Sequence, residues 1–213
     1  MSVIAENIGS IKAKIAKVNA HTQLIAVSKN HDASSVRAAI AAGQTLFGEN
    51  RVQEATAKFT QIKAEFPSIK LHLIGPLQTN KVKDALKLFD VIETLDREKL
   101  AREFAKHNAQ QEFFIQVNIG NEPQKAGIAP EAAIDFFKHC TADLKLNVTG
   151  LMCIPPVDEN PEPFFESLKS INTKLGTHSL KLSMGMSADY ELAAAQGADF
   201  VRIGTAIFGE RNS

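Results

Sequence analysis

Between residues 3 and 18 apolar side chains recur at Ile4, Ile8, Ile11, Ile15 and Val18, a spacing of three and four that lays one stripe along a helix. After that segment the period changes. Short runs rich in β-branched and aromatic residues occupy 22–29, 45–49, 70–75, 90–95, 112–119, 147–154, 180–184 and 199–204, and their length and bounding turn residues predict strands. Segments of helical period lie between them at 32–42, 51–65, 79–88, 97–109, 130–140, 162–176 and 188–196, several stopped by a glycine: Gly43, Gly176, Gly197. This alternation predicts an α/β fold, a single (β/α)8 TIM barrel with an extra N-terminal helix, with residues 1–213 as one domain. Short apolar runs can also be core helix, so an open doubly wound sheet is the competing arrangement.

The loops divide by which end of a strand they follow. Those after strands carry the chemically unusual residues, among them Lys29-Asn30-His31-Asp32, Gly48-Glu49-Asn50-Arg51, Gly75 to Lys81, Gly120 to Pro130, Ile154 to Pro163, Gly185-Met186-Ser187 and Gly204-Thr205-Ala206. Those before strands are plain. In a barrel all strand C-termini meet on one face, so these distant segments are expected to share a pocket.

Charge narrows the function classes. Lys plus Arg equals Asp plus Glu at 24 each, without a long run of either sign, which argues against nucleic acid or an anionic membrane surface as partner. The first residues show no basic segment followed by an apolar stretch, and no run is long enough to span a bilayer, so the expected location is the cytoplasm. Cys140 and Cys153 form no C-x-x-C pair and are expected as buried free thiols. His21, His31, His72, His107, His139 and His178 are scattered, with no spacing that supports a metal site.

Lys29 ends the first apolar strand, Leu24-Ile25-Ala26-Val27-Ser28-Lys29. An amine held against a low-dielectric wall can act as a nucleophile toward an aldehyde, and pyridoxal 5′-phosphate (PLP) is the natural partner for such a lysine; the competing reading is a strand-end lysine whose head reaches water. PLP also requires a phosphate cradle and a partner for its ring nitrogen. Ser187 and Gly204-Thr205 follow the seventh and eighth strands, where barrels commonly bind phosphate, although Ser187 could simply cap a helix and Gly204 serve a turn. Arg202 alternates with Val201 and Ile203 and so faces the barrel interior, where it meets either the pyridine nitrogen or a carboxylate such as Glu49 or Glu93. A cation beside that nitrogen keeps it unprotonated and weakens the electron sink.

The segments Ala26-Val27-Ser28-Lys29, Phe47 to Glu54, His72 to Lys81, Gly150-Leu151-Met152, Leu182 to Asp189 and Val201 to Gly209 together resemble the PLP homeostasis protein family. The resemblance implies a barrel similar to the N-terminal domain of alanine racemase, binding PLP without established turnover, with a role in vitamin B6 balance. It implies that Lys29 is the Schiff-base lysine, Arg202 faces the pyridine nitrogen, Ser187, Gly204 and Thr205 hold the phosphate, and Asn50 lies near the ring. Lys81 and Lys125 also match family lysines, with solvated loop lysines as the alternative. The chain departs from its relatives at Asn30-His31-Asp32, where a proline is usual, and at Leu71, where an aromatic residue is common.

A racemase needs a second base opposite the lysine, and the chain has one tyrosine, Tyr190, on the helix after Ser187. This favours a PLP carrier or regulator, with PLP-dependent apoenzymes as recipients, over a PLP-dependent amino-acid racemase. An ordinary barrel enzyme acting on a sugar phosphate is the third reading.

Overall fold

The computed structural model describes residues 2–176 and 180–209; His178 lies outside the described residues. Eight parallel strands close into a barrel in sequence order, which excludes the open sheet. They are β1 (Gln23–Val27), β2 (Leu46–Glu49), β3 (Lys70–Leu73), β4 (Val91–Leu95), β5 (Glu112–Val117), β6 (Val148–Cys153), β7 (Lys181–Ser183) and β8 (Phe200–Ile203). The helices are α1 (Val3–Val18), α2 (Ala33–Ala41), α3 (Val52–Glu65), α4 (Val82–Leu88), α5 (Glu98–Lys106), α6 (Ala133–Lys138), α7 (Glu162–Lys174), α8 (Tyr190–Ala195) and α9 (Thr205–Phe208).

Alternation along each strand builds two cores. Leu24, Phe47, Leu71, Ile92, Phe113, Leu151, Leu182 and Val201 face outward into a shell shared with the helices. Ile25, Val91, Phe114, Met152 and Phe200 fill the barrel's interior. The expected stripe on α1 is real, since Ile8, Ile11 and Ile15 are buried. Gly43, Gly176 and Gly197 take left-handed φ values of 79°, 71° and 91°, the conformation that lets a helix end. Cys140 and Cys153 are buried free thiols, and burial pushes both up to about 12, well away from a reactive thiolate.

Several boundaries differ from the expectation. The 79–88 segment is a turn of 3-10 helix at Thr79–Lys81 followed by α4, and the helix expected over 130–140 begins as 3-10, becomes α6 and ends in a π turn, His139–Asp143. The last strand is followed by α9, a single turn that periodicity over so short a span does not signal. The helix expected from residue 188 starts at Tyr190. Leu71 is fully buried on the outward face of β3.

Candidate functional site

The segments proposed for the site come together because β8 pairs with β1 and with β7. Ile25 lies opposite Arg202, and Ala26 opposite Ile203. Ile25 is an interior residue. The same parity carried past the strand end puts Lys29, half-buried in the turn after β1, on the inward side. On one flank stands Gly204, where a Cβ would lie 3.1 Å from Val27 O. On the other stands Asn50, after β2, whose carbonyl oxygen would be 2.4 Å from a Cβ at Gly75. Only glycine at 75 allows the loops after β2 and β3 to approach this closely.

The turn at Lys29 contains no proline. Asn30 takes a left-handed φ of 62°, and Asp32 caps α2 by accepting from Ser35 N–H and Ser34 Oγ, both at 2.8 Å. His31 stacks on Phe208 of α9 with ring centroids 4.9 Å apart.

Ser187 is not a helix cap. It is exposed in the turn before α8, whose cap position is Asp189, and Asp189 Oδ1 instead accepts from Met186 N–H at 2.6 Å. Its hydroxyl is therefore not committed to the helix. Thr205 is likewise exposed, at the start of α9. Ser187 and Ala206 border one cavity of about 730 Å3, so the loops after β7 and β8 do converge.

Arg202 is buried in the interior, as its parity predicts. Its Nη1 donates to Ser183 Oγ at 2.7 Å and its Nη2 to Cys153 O at 2.8 Å, while Glu93 Oε2 lies 3.9 Å from Nη1. Ser183 Oγ passes its own hydrogen to Glu93 Oε2 at 2.6 Å, and His72 Nδ1 lies 2.7 Å from Glu93 Oε1. Burial alone would push Glu93 up, but the hydrogen bond and charge of His72, the charge of Arg202 and the Ser183 hydroxyl together hold it below the ordinary value of 4.5. An ionised carboxylate only accepts, so Nδ1 of His72 carries the hydrogen.

Of the two carboxylates expected to face Arg202, Glu49 is a correction. It shares the outward parity of Phe47 and is buried against α3, with Lys58 Nζ 2.9 Å from its Oε1. Burial raises its pKa, against the pull of the Ser28 hydrogen bond and the Lys58 charge. Ser183, which bonds Arg202, and His72, which bonds Glu93, belong to no sequence motif read for the arginine. Their signal was a polar residue at alternating parity inside an apolar run, which only the closed barrel turns into a network.

Lys81 lines a cleft of about 640 Å3 with Asn50, Arg51 and Arg97. Lys125 is partly buried, ion-paired with Glu122 and 3.3 Å from Pro155 O. A further cavity of about 380 Å3, bordered by Lys70, His72, Glu112, Lys181 and Phe200, sits at the strands' N-terminal ends, opposite this face.

The alanine racemase N-terminal domain family matches residues 1–212. The pyridoxal phosphate homeostasis protein of Aquifex aeolicus is 40% identical over 200 residues, covering 89% of this chain and 87% of that protein. The chain belongs to the pyridoxal phosphate homeostasis protein family. A solved structure, PipY of Synechococcus elongatus with PLP bound, is 35% identical with a TM-score of 0.83, covering 97% of this chain and all of that one. Alanine racemase of Bartonella henselae, at 18% identity and a TM-score of 0.74, covers 98% of this chain and 59% of its own, a likeness of fold alone.

Proposed function

We propose that the protein holds PLP as a Schiff base on Lys29 and acts in intracellular PLP, or vitamin B6, homeostasis without catalytic turnover. The observation that carries the reading is Arg202, a buried guanidinium kept inside the barrel by Ser183 and Cys153, on the strand that adjoins Lys29's own. A lysine past one strand end, an inward arginine beside it and hydroxyls at two adjoining strand ends are the donor set that a phosphorylated pyridine aldehyde requires. When bound, PLP would supply an aldehyde that the Lys29 amine could hold covalently, with one water released and no change of oxidation state. Arg202 holds a positive charge at the ring nitrogen and keeps it unprotonated. Ser187, Gly204 and Thr205 hold the phosphate, and Asn50 borders the ring.

The racemase alternative needs a base on the far face of the ring. Tyr190 is buried in the outer shell, at the first position of α8, and does not supply one. The reading accordingly takes the protein as a single PLP-binding barrel domain over 1–213 in the cytoplasm, with PLP-dependent apoenzymes as recipients. No helix among the described residues is long and apolar enough to cross a membrane. Borohydride reduction of the PLP-loaded protein followed by peptide mapping is expected to label Lys29. Labelling confined to Lys81 or Lys125 overturns the assignment, and turnover of D- or L-alanine by the pure protein would favour the racemase.

A further inference from the structure

Lys58 lies on α3, outside the barrel wall, yet its head is buried against the turn that carries Lys29, with the side chain 6% exposed. Its Nζ donates to Ser28 O at 2.7 Å and to His31 O at 2.8 Å, the carbonyls on either side of Lys29 and Asn30. Two carboxylates bind the same ammonium and the same turn. Glu49 Oε1, 2.9 Å from Nζ, accepts from Ser28 Oγ at 2.6 Å, and Glu54 Oε1, 3.3 Å from Nζ, accepts from Asn30 N–H at 2.5 Å. The turn closes on itself through His31 N–H to Ser28 O at 3.1 Å. Asn30 holds a left-handed φ of 62°, a conformation that asparagine tolerates better than most residues, and these bonds fix the turn around it. A methionine at position 58 would fill similar space without the cost of burying an ammonium, but it could not hold two carbonyls and two carboxylates.

We infer that Lys58 is a positioning residue for Lys29: with Glu49 and Glu54 it locks the 28–31 turn in the conformation from which the Lys29 amine reaches the aldehyde of bound PLP. The inference rests on the Lys29 reading above. The step assisted is Schiff-base formation, in which one N=C bond replaces one C=O bond and the amine's two hydrogens leave with the aldehyde oxygen as water. Holding the amine in place raises its effective concentration at the aldehyde carbon without adding any contact to the ligand.

The experiment measures the rate of Schiff-base formation by stopped-flow absorbance, alongside affinity for pyridoxine 5′-phosphate, which has the ring and phosphate but no aldehyde. Lys58→Met is expected to slow Schiff-base formation by about tenfold or more. Its affinity for pyridoxine 5′-phosphate should stay within about twofold of the parent. Lys58→Arg, which keeps the cation and several donors, should recover most of the rate. Glu54→Leu, at a side chain 27% exposed, removes the acceptor of Asn30 N–H without stranding a buried charge, and it should slow the step by roughly threefold or more even if Lys58→Met does not fold. An unchanged rate in the folded variants, or a parallel loss of rate and of pyridoxine 5′-phosphate affinity, overturns the inference. Borohydride mapping of the unmodified chain separates the two claims: a label elsewhere than Lys29 overturns the reading beneath, whereas a label on Lys29 with unaffected variant rates overturns only the role of Lys58.

Discussion

Glu49 and Glu93 are both fully buried carboxylates, and their neighbours drive them in opposite directions. Burial dominates at Glu49 and raises its pKa; at Glu93 burial is outweighed by His72, Arg202 and Ser183, which hold it ionised. This matters for any test of Arg202. Arg202→Glu alone would replace the cation facing Glu93 with a second carboxylate, and two such groups side by side cannot both stay ionised in a dry interior. The informative variant is therefore Arg202→Glu combined with Glu93→Gln, which places one anion at the ring nitrogen and restores the electron sink. Slow transamination with amino acids should rise in that protein, and rise less in Arg202→Ala, which removes the cation without supplying an anion. If PLP remains bound with an unchanged spectrum and no gain in transamination, Arg202 does not adjoin the ring nitrogen and its role is the ion pair with Glu93.

Among the elements, α2 shows how a short helix is started beside the site. Asp32 caps it through two hydrogen bonds at 2.8 Å, and the backbone and hydroxyl donors of Ser35 and Ser34 pull the carboxyl down from 3.8 to about 2. A carboxyl depressed in the folded state adds stability that is complete above its unfolded value and is lost as pH falls through the folded one. The cap's contribution should therefore fade between the ordinary value of 3.8 and about 2. Asp32→Asn keeps an accepting oxygen but does not titrate, so acid unfolding followed by circular dichroism should show a shallower loss of stability across that window. An identical acid limb in the two proteins would mean the cap is not made in solution. The same element-level reading failed at α8, where a serine before an apolar stretch looked like a cap. The chain there spends another turn, 187–189, before the helix begins at Tyr190.

At the scale of the whole molecule, barrel closure is what joins the last two loops to the first. Ser187 follows β7 and Thr205 follows β8, and both are exposed at the same mouth. Replacing both by alanine removes two hydroxyl donors to a charged acceptor, each worth about 1.5–3 kcal/mol, so PLP affinity should fall by about a hundredfold or more. Pyridoxal, which lacks the phosphate, should lose little. Equal losses for the two ligands, measured by equilibrium titration, would show that these hydroxyls do not contact phosphate.

Length, period and turn residues are local properties, and they were enough to read eight strands, the helices between them, the N-terminal helix and the inward parity of Arg202. The extended match of the motifs carried the family for the same reason. Which polar groups meet is not local. Glu49 and Glu93 sit in apolar runs of similar character, yet the pleat of β2 turns the first outward to Lys58 and the pleat of β4 turns the second inward to His72 and Arg202. The clamp behind Lys29 likewise joins the turn after β1 to β2 and α3, through pairs 21 to 30 positions apart. Strand register, barrel closure and the docking of α3 decided these pairings, because a buried charge takes whatever partner the packed neighbours bring within reach.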